Sequence, residues 1–224
     1  MSTVSATNLK HASSASNNIV LDASGNTAIS GSATVGGVAV VTTTGTQTLT
    51  NKTLTSPTIG GTPVMSASVI TSGTSQASTS GTSIDFTGIP SWVKRITIMF
   101  NGVSTGGTSI KQIQLGDSGG FETTGYLGTG VQLTDAQSVN AATITTGFGI
   151  RSALAADTLN GAVVITNLTN NTWVAQGALT DSSRGAGYLV GGAKALSATL
   201  DRVRITTVNG TDAFDAGSIN ILYE

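Results

Sequence analysis

The 224-residue chain contains no cysteine, which excludes disulfides, thiolate metal sites and cysteine nucleophiles. Charge is also scarce: Asp, Glu, Lys and Arg make up 9% of the residues, against about a quarter in an average soluble protein. The formal net charge is −1. Nucleic acids and anionic membrane surfaces are bound through clustered Lys and Arg. We therefore expect neither of these partners.

The residue types that normally cover helix surfaces are few as well. Glu, Lys, Arg and Gln occupy those positions in most helices, whereas this chain is rich in Thr, Ser, Asn and small aliphatic residues and has 29 Gly. Such a composition favours short strands joined by tight turns. Residues 202–205 and 219–223 alternate polar and apolar side chains on either side of the turn signal at 209–210. The sequence predicts an all-β protein whose C-terminal part is a β-sandwich, jelly-roll-like in form.

Long apolar runs are missing. No segment is long enough to cross a membrane as a helix, so we expect no membrane insertion. Residues 1–6 lack a basic segment followed by an apolar core, so they do not resemble a secretion signal. This disfavours a bacterial surface adhesin and predicts a protein made in the cytoplasm.

The composition divides the chain into three parts, 1–41, 42–64 and 65–224. The first part contains a strand–turn–strand pattern at 18–29, and the third is dense in strand candidates. The middle part is mostly Thr and Ser, with an aliphatic residue every five positions at Leu49, Leu54 and Ile59. That spacing fits neither a helix nor a strand. It favours copies of the chain intertwined around one axis, while a disordered linker is the alternative.

Specific segments resemble the fibre proteins of tailed bacteriophages. Residues 46–59, TQTLTNKTLTSPTI, resemble a segment that recurs in tail fibres and related fibres. Residues 6–26 resemble N-terminal anchoring regions of such fibres. Residues 78–105, 113–120 and 214–224 resemble a C-terminal domain common in phage fibre proteins.

The resemblance implies a structural protein on the tail or capsid surface of a phage virion, made in the host cytoplasm. It implies a homotrimer in which 1–41 anchor to another virion protein, 42–64 form a shaft and 65–224 form the head. The anchoring residues would be Asn8, Leu9, Ile19, Val20 and Leu21. The function implied is attachment to a bacterial surface glycan or protein, by glycan binding without catalysis. The alternatives are a capsid decoration or head fibre protein with a stabilising or weakly adhesive role, and a small polysaccharide depolymerase.

Residues with catalytic or metal-binding chemistry form no recognisable motif. His11 is the only histidine, and it lies near Ser13 and Ser14 in a Ser-rich segment with no acid placed to orient it. One histidine and no cysteine do not make a zinc site within one chain. No calcium-loop or phosphate-loop pattern occurs. We therefore expect no catalytic residue, no metal and no cofactor.

Aromatic residues make up only 4% of the chain, so each large ring is informative. Trp92 precedes a strong strand pattern and is expected in the core or between subunits. Trp173 lies among Asn and Thr, and Tyr126 and Tyr188 lie beside Gly. Sugars are recognised by stacking on aromatic faces with short polar groups alongside, so these three are the predicted ligand-binding residues. Ordinary packing is the alternative for each.

Overall fold

The structure is a computed structural model. It describes residues 8–9, 19–21, 27–29, 34–35, 38–39, 53, 55–56, 58, 70–155, 157–181 and 183–224. The chain divides into two compact units, Met1–Pro63 and Val64–Glu224. Within the described residues there is no helix, and all strand pairs are antiparallel. The predicted all-β class is confirmed.

The described residues of the N-terminal unit form five short strands. Their bounds are β1 (Asn8–Leu9), β2 (Ile19–Leu21), β3 (Thr27–Ile29), β4 (Thr34–Val35) and β5 (Val38–Ala39). The first three form a sheet in the order β1-β2-β3, and the last two form a separate pair. Leu21 pairs with Thr27, which confirms the two strands of the pattern predicted at 18–29, while the predicted turn at 22–26 lies outside the described residues. Leu49, Leu54 and Ile59 lie outside the described residues.

In the C-terminal unit, the part of the chain that the structure describes forms fourteen strands in two sheets. They are β6 (Thr71–Ser72), β7 (Gln76–Ala77), β8 (Ser83–Thr87), β9 (Arg95–Thr105), β10 (Lys111–Asp117), β11 (Gly120–Phe121), β12 (Leu127–Leu133), β13 (Val139–Ile144), β14 (Phe148–Ile150), β15 (Leu159–Thr169), β16 (Thr172–Asp181), β17 (Ala186–Ala195), β18 (Leu200–Thr207) and β19 (Phe214–Tyr223). The large sheet has the order β13-β12-β17-β16-β15-β9-β19-β6, with β7 also on β19. The small sheet has the order β11-β10-β18-β8, with β14 also on β10.

Aliphatic and aromatic side chains from both sheets meet in one core, which makes the unit a sandwich. The small sheet contributes Ile84, Phe86, Ile113, Leu115, Val203 and Ile205, and the large sheet contributes Ile96, Ile98, Phe100, Val163, Ile165, Ile219 and Ile221. Each set occupies alternate positions of its strands, as period-two geometry requires. The alternation predicted at 202–205 and 219–223 is confirmed, because its aliphatic positions 203, 205, 219 and 221 are buried.

The register of β19 against β9 shifts between Ala216 and Ser218. Gly217, inside this bulge, has a φ of 92°, which strains any residue with a side chain. A Cβ atom at this position would overlap the carbonyl oxygen of Gly102 on β9. The bulge between these two strands therefore depends on glycine.

We predict that Gly217→Ala destabilises the protein by about 1–3 kcal/mol, because it adds backbone strain and a steric overlap. The matched control is Gly187→Ala on β17, where an added Cβ meets no atom within 4 Å. The control should change stability by no more than about 0.5 kcal/mol. Thermal denaturation followed by circular dichroism measures both, and equal melting temperatures for the two variants would contradict the prediction.

Candidate functional site

A cleft of about 510 Å³ opens at one edge of the sandwich. The edge strand β8 of the small sheet lies on one side of it, and β6, β7 and the end of β19 lie on the other. Its lining residues are Ser72, Gly73, Thr74, Gln76, Asp85, Phe86, Thr87, Gly88, Ile89, Ile221 and Tyr223. The volume falls within the range of about 300–1,000 Å³ typical of small-molecule sites.

Polar side chains in the cleft are held in place by contacts across the edge. The Gln76 amide nitrogen donates to the carbonyl oxygen of Asp85 at 2.7 Å, which joins β7 to β8. The Asp85 carboxylate accepts two hydrogen bonds from Arg204, at 2.8 and 2.6 Å. Two bonds leave carboxylate lone pairs unused, since an ionised carboxylate has about four acceptor sites. Asp85 lines the cleft together with Ser72, Thr74 and Thr87, which carry hydroxyls.

An aromatic pair stands beside these polar groups. The ring of Tyr223, which lines the cleft, lies 5.9 Å from the ring of Trp92 at an interplanar angle of 49°. Trp92 is 53% exposed and sits in a turn that the Val93 amide closes on the Pro90 carbonyl at 3.1 Å. Of the two positions expected for Trp92, the core is wrong, because Val93 fills the core there instead, and a position between subunits stays a prediction.

The three aromatic residues predicted to bind a ligand are all buried. Trp173 is 4% exposed, Tyr126 1% and Tyr188 0%. Trp173 and Tyr188 occupy inward positions of β16 and β17. The Tyr126 ring packs edge-on to Phe148 at 5.1 Å. A ring below the surface offers no face to a sugar, so the prediction of a ligand surface at these residues is wrong.

The predicted anchoring residues lie in the N-terminal unit. Asn8 and Leu9 form β1, and Ile19, Val20 and Leu21 form β2. The two strands pair, with Asn8 opposite Val20 and Leu9 opposite Ile19. Anchoring by these residues stays a prediction. His11, Ser13 and Ser14 lie outside the described residues.

A second polar cluster is buried inside the sandwich. The Lys111 ammonium donates to the Ser152 hydroxyl at 3.1 Å, and that hydroxyl donates to the Asp157 carboxylate at 2.9 Å. Arg184 forms an ion pair with the same carboxylate. Ser–Lys pairs act as nucleophile and base in some hydrolases, but Ser152 has no exposed surface and Lys111 only 1%. No sequence motif marks this cluster, and its enclosed position fits a structural role.

The enclosed position of this cluster shifts the pKa values of its ionisable side chains. Burial lowers the pKa of Lys111, although the Asp157 carboxylate opposes the shift. Burial alone would raise the pKa of Asp157, but hydrogen bonds from Arg184 and Ser152 outweigh it and the pKa is lowered. Burial raises the pKa of Tyr188 to about 12, and the neighbouring Asp157 charge contributes to the same shift. Asp157 is thus an ionised carboxylate whose charge Arg184 and Lys111 compensate.

Metal-binding groups and membrane-spanning helices are both missing from the part of the chain that the structure describes. No three His, Asp or Glu side chains there are grouped so that they could hold a metal ion. No helix in that part is long and apolar enough to span a membrane.

Comparison with known proteins gives no relative: no family model, no curated protein and no solved structure matches this chain.

We predict that Trp173→Ala destabilises the protein by about 3–5 kcal/mol, because it leaves a large cavity in the core. Trp173→Phe should cost much less, since it keeps most of the ring volume and removes an indole N–H that has no acceptor among the described residues. Urea denaturation measures both. A tryptophan-to-alanine change that leaves the denaturation midpoint unaltered would contradict this burial.

We predict that Asp157→Asn destabilises the protein by about 3 kcal/mol near neutral pH, because it leaves Lys111 without its nearest counter-charge. The lowered pKa of Asp157 means that its contribution is complete above the ordinary value of 3.8 and is lost as the pH falls through the lower folded value. Wild type and variant should therefore converge in stability at acid pH. Urea denaturation across this pH range measures the effect. Asp135→Asn, at an exposed position, is the control and should stay within about 0.5 kcal/mol of wild type at every pH.

Proposed function

We propose that this protein is a homotrimeric fibre protein of a tailed-phage virion that attaches to bacterial surface glycan without cleaving it. The observation that carries the binding part of the proposal is the exposed Trp92, paired with Tyr223 at a polar cleft. The resemblance of residues 46–59 to phage fibre segments carries the virion part. Residues 1–41 anchor the fibre to another virion protein of the tail or capsid, 42–64 form the shaft, and the protein is made in the host cytoplasm.

The cleft and the Trp92 ring, which contacts the cleft residue Tyr223, together have the two kinds of group that sugars require. A pyranose ring presents apolar C–H faces, which stack on an aromatic ring, and a rim of hydroxyls, which need fixed donors and acceptors. Trp92 is exposed enough to supply the ring face. Asp85 and Gln76 are each held by a hydrogen bond to a neighbouring strand or side chain, so they lose little freedom when a ligand binds.

The charge arrangement of the cleft favours binding over hydrolysis. Glycosidases of the common type use two carboxyl groups on either side of the scissile bond. Among the described residues that line the cleft, Asp85 is the single carboxylate, and both of its oxygens accept hydrogen bonds from Arg204. A carboxylate held in this way is suited to accepting hydrogen bonds from sugar hydroxyls.

Multivalency fits a shallow site of this kind. A single stacking contact with a few hydrogen bonds gives weak affinity. Three heads on one fibre, and several fibres on one particle, raise the effective strength of attachment by orders of magnitude without new contacts.

We predict that Trp92→Ala weakens binding of the full chain to host cells or to their purified surface polysaccharide. Loss of one stacking contact should lower the affinity per site by about two- to tenfold. Because Trp92 is half-exposed, the melting temperature should change little. Surface plasmon resonance on immobilised polysaccharide measures the affinity, and labelled protein counted on cells measures attachment.

Two controls separate the ring from general apolar surface. Trp92→Tyr keeps an aromatic face and should retain most of the binding. Leu154→Ala removes an exposed apolar side chain that lies outside the cleft lining and should leave binding unchanged. Wild-type binding by Trp92→Ala would reject this cleft as the site. Docking of the protein to phage heads without any cell binding would favour the head-fibre alternative, and release of reducing ends from the polysaccharide would favour the depolymerase.

A further inference from the structure

The outer face of the large sheet carries one apolar row that crosses most of its width. The strand register places six outward side chains in one continuous row across neighbouring strands, from β13 to β9. They are Ala141, Val131, Leu189, Ala178, Ala162 and Met99. We call this row and the outward side chains beside it the apolar face.

The outward side chains in the rows on either side are uncharged but mixed in polarity. One row carries Val139, Leu133, Gly187, Thr180 and Asn160, and the other carries Thr143, Thr129, Gly191, Gln176, Val164 and Thr97. Leu127 is 77% exposed, Val139 67%, Leu189 47% and Leu133 42%. The outward positions of β12, β13, β15, β16 and β17 carry no charged side chain. Beside Leu189 a shallow depression is lined by Ala162, Val164 and Ala178, so the face has both a projecting leucine and a hollow.

The small sheet has an outer face of the opposite character. Asp85 lies opposite Arg204, and Arg204 lies opposite Gln114. Ser83 and Thr206 form the next row. An antiparallel sheet whose outer face meets water normally carries polar residues there. The small sheet carries charged and polar groups there, whereas the outward positions of β12, β13, β15, β16 and β17 carry no charge and include a continuous apolar row.

The apolar face has the size of a protein interface. Six strands about 4.8 Å apart, with three or four outward residues about 6.8 Å apart on each, cover roughly 700 Å². Stable protein–protein interfaces bury about 800 Å² on each partner. One such face per subunit is therefore enough for a stable contact.

We propose that the apolar face is the surface through which copies of this chain pack against one another. A face without charge meets its own copy without like-charge repulsion, and its small alanine side chains leave room for a projecting leucine. This inference rests on the self-association in the proposed function. Around a threefold axis, each apolar face would pack against the other two, while the small sheet and the edge at β8 would face outward.

The absence of cysteine makes a direct test possible, because one introduced thiol is the only thiol. Ala178→Cys places it at the centre of the apolar face, in the full chain. Short bismaleimides of graded length should link subunits covalently, since thiols at an interface have millimolar or higher effective concentration. Thr199→Cys, exposed in the loop between β17 and β18, is the control. At micromolar protein it should yield roughly tenfold less cross-linked product or lower.

A second variant tests the contact itself. Leu189→Lys in the Ala178→Cys chain puts a charge into the interface and should lower the cross-linked yield by roughly tenfold or more. Leu189→Val keeps the apolar character and should retain the yield. Circular dichroism of each variant shows whether the sheet is intact, and Leu189→Lys with a native spectrum and full cross-linking would overturn the proposal.

Light scattering on the wild-type chain distinguishes a failure of the proposed homotrimer from a failure of the proposed interface. A stable monomer would overturn both the homotrimer and this interface. An oligomer in which the thiol at position 178 reacts freely with maleimide but forms no cross-link would overturn the interface alone. A protected thiol without cross-links would also overturn it, because another surface, such as a segment of residues 1–63, would then cover the face.

Discussion

The contact between the inner faces of the two sheets is the interaction on which the C-terminal unit depends. Side chains such as Ile98, Ile113, Val163 and Ile205 are fully buried there, and burying each contributes about 1.5–3 kcal/mol. Because strand side chains alternate, the choice of an inward set also determines which residues face outward on each sheet. The polar outer face of the small sheet and the apolar row on the outer face of the large sheet both follow from that single choice of register.

The sheets are unequal in size, and the structure accommodates this in two ways. On the side of β12 and β17, the short strand β14 fills the space beneath the large sheet. Glycine permits this close approach, since a Cβ at Gly130 would lie 2.5 Å from the carbonyl oxygen of Gly149. At the opposite edge, between β8 and the end of β19, the layers separate and leave the cleft. The candidate site thus lies where the two sheets no longer pack against each other.

Period-two alternation in the sequence predicted the strands but not the position of each ring. Trp173 alternates with buried Ala175, and Tyr188 alternates with buried Val190, so the signal for burial was present. The neighbouring Asn and Gly residues favoured an exposed position instead. Asn170 and Asn171 do so because they belong to the hairpin turn between β15 and β16. No short stretch of the sequence indicated the cleft. Gln76, Asp85 and Tyr223 meet only because β19 pairs with β7 and lies near β8, which depends on long-range pairing.

Scarcity of charge connects the fold to its proposed assembly. Among the described residues, ion pairs lie in the buried cluster around Asp157, on the small sheet at Arg202 and Arg204, between Lys194 and Glu122, and between Arg95 and Glu224. The apolar face of the large sheet receives no charged side chain from β12, β13, β15, β16 or β17, and the net charge of −1 gives little repulsion between molecules. An isolated subunit would therefore expose a large apolar surface without the charge that keeps proteins apart. A closed symmetric assembly removes that surface and stops growth at a fixed number of subunits. Low charge, which gives a monomer poor solubility, is compatible with a fibre whose apolar faces are all turned inward.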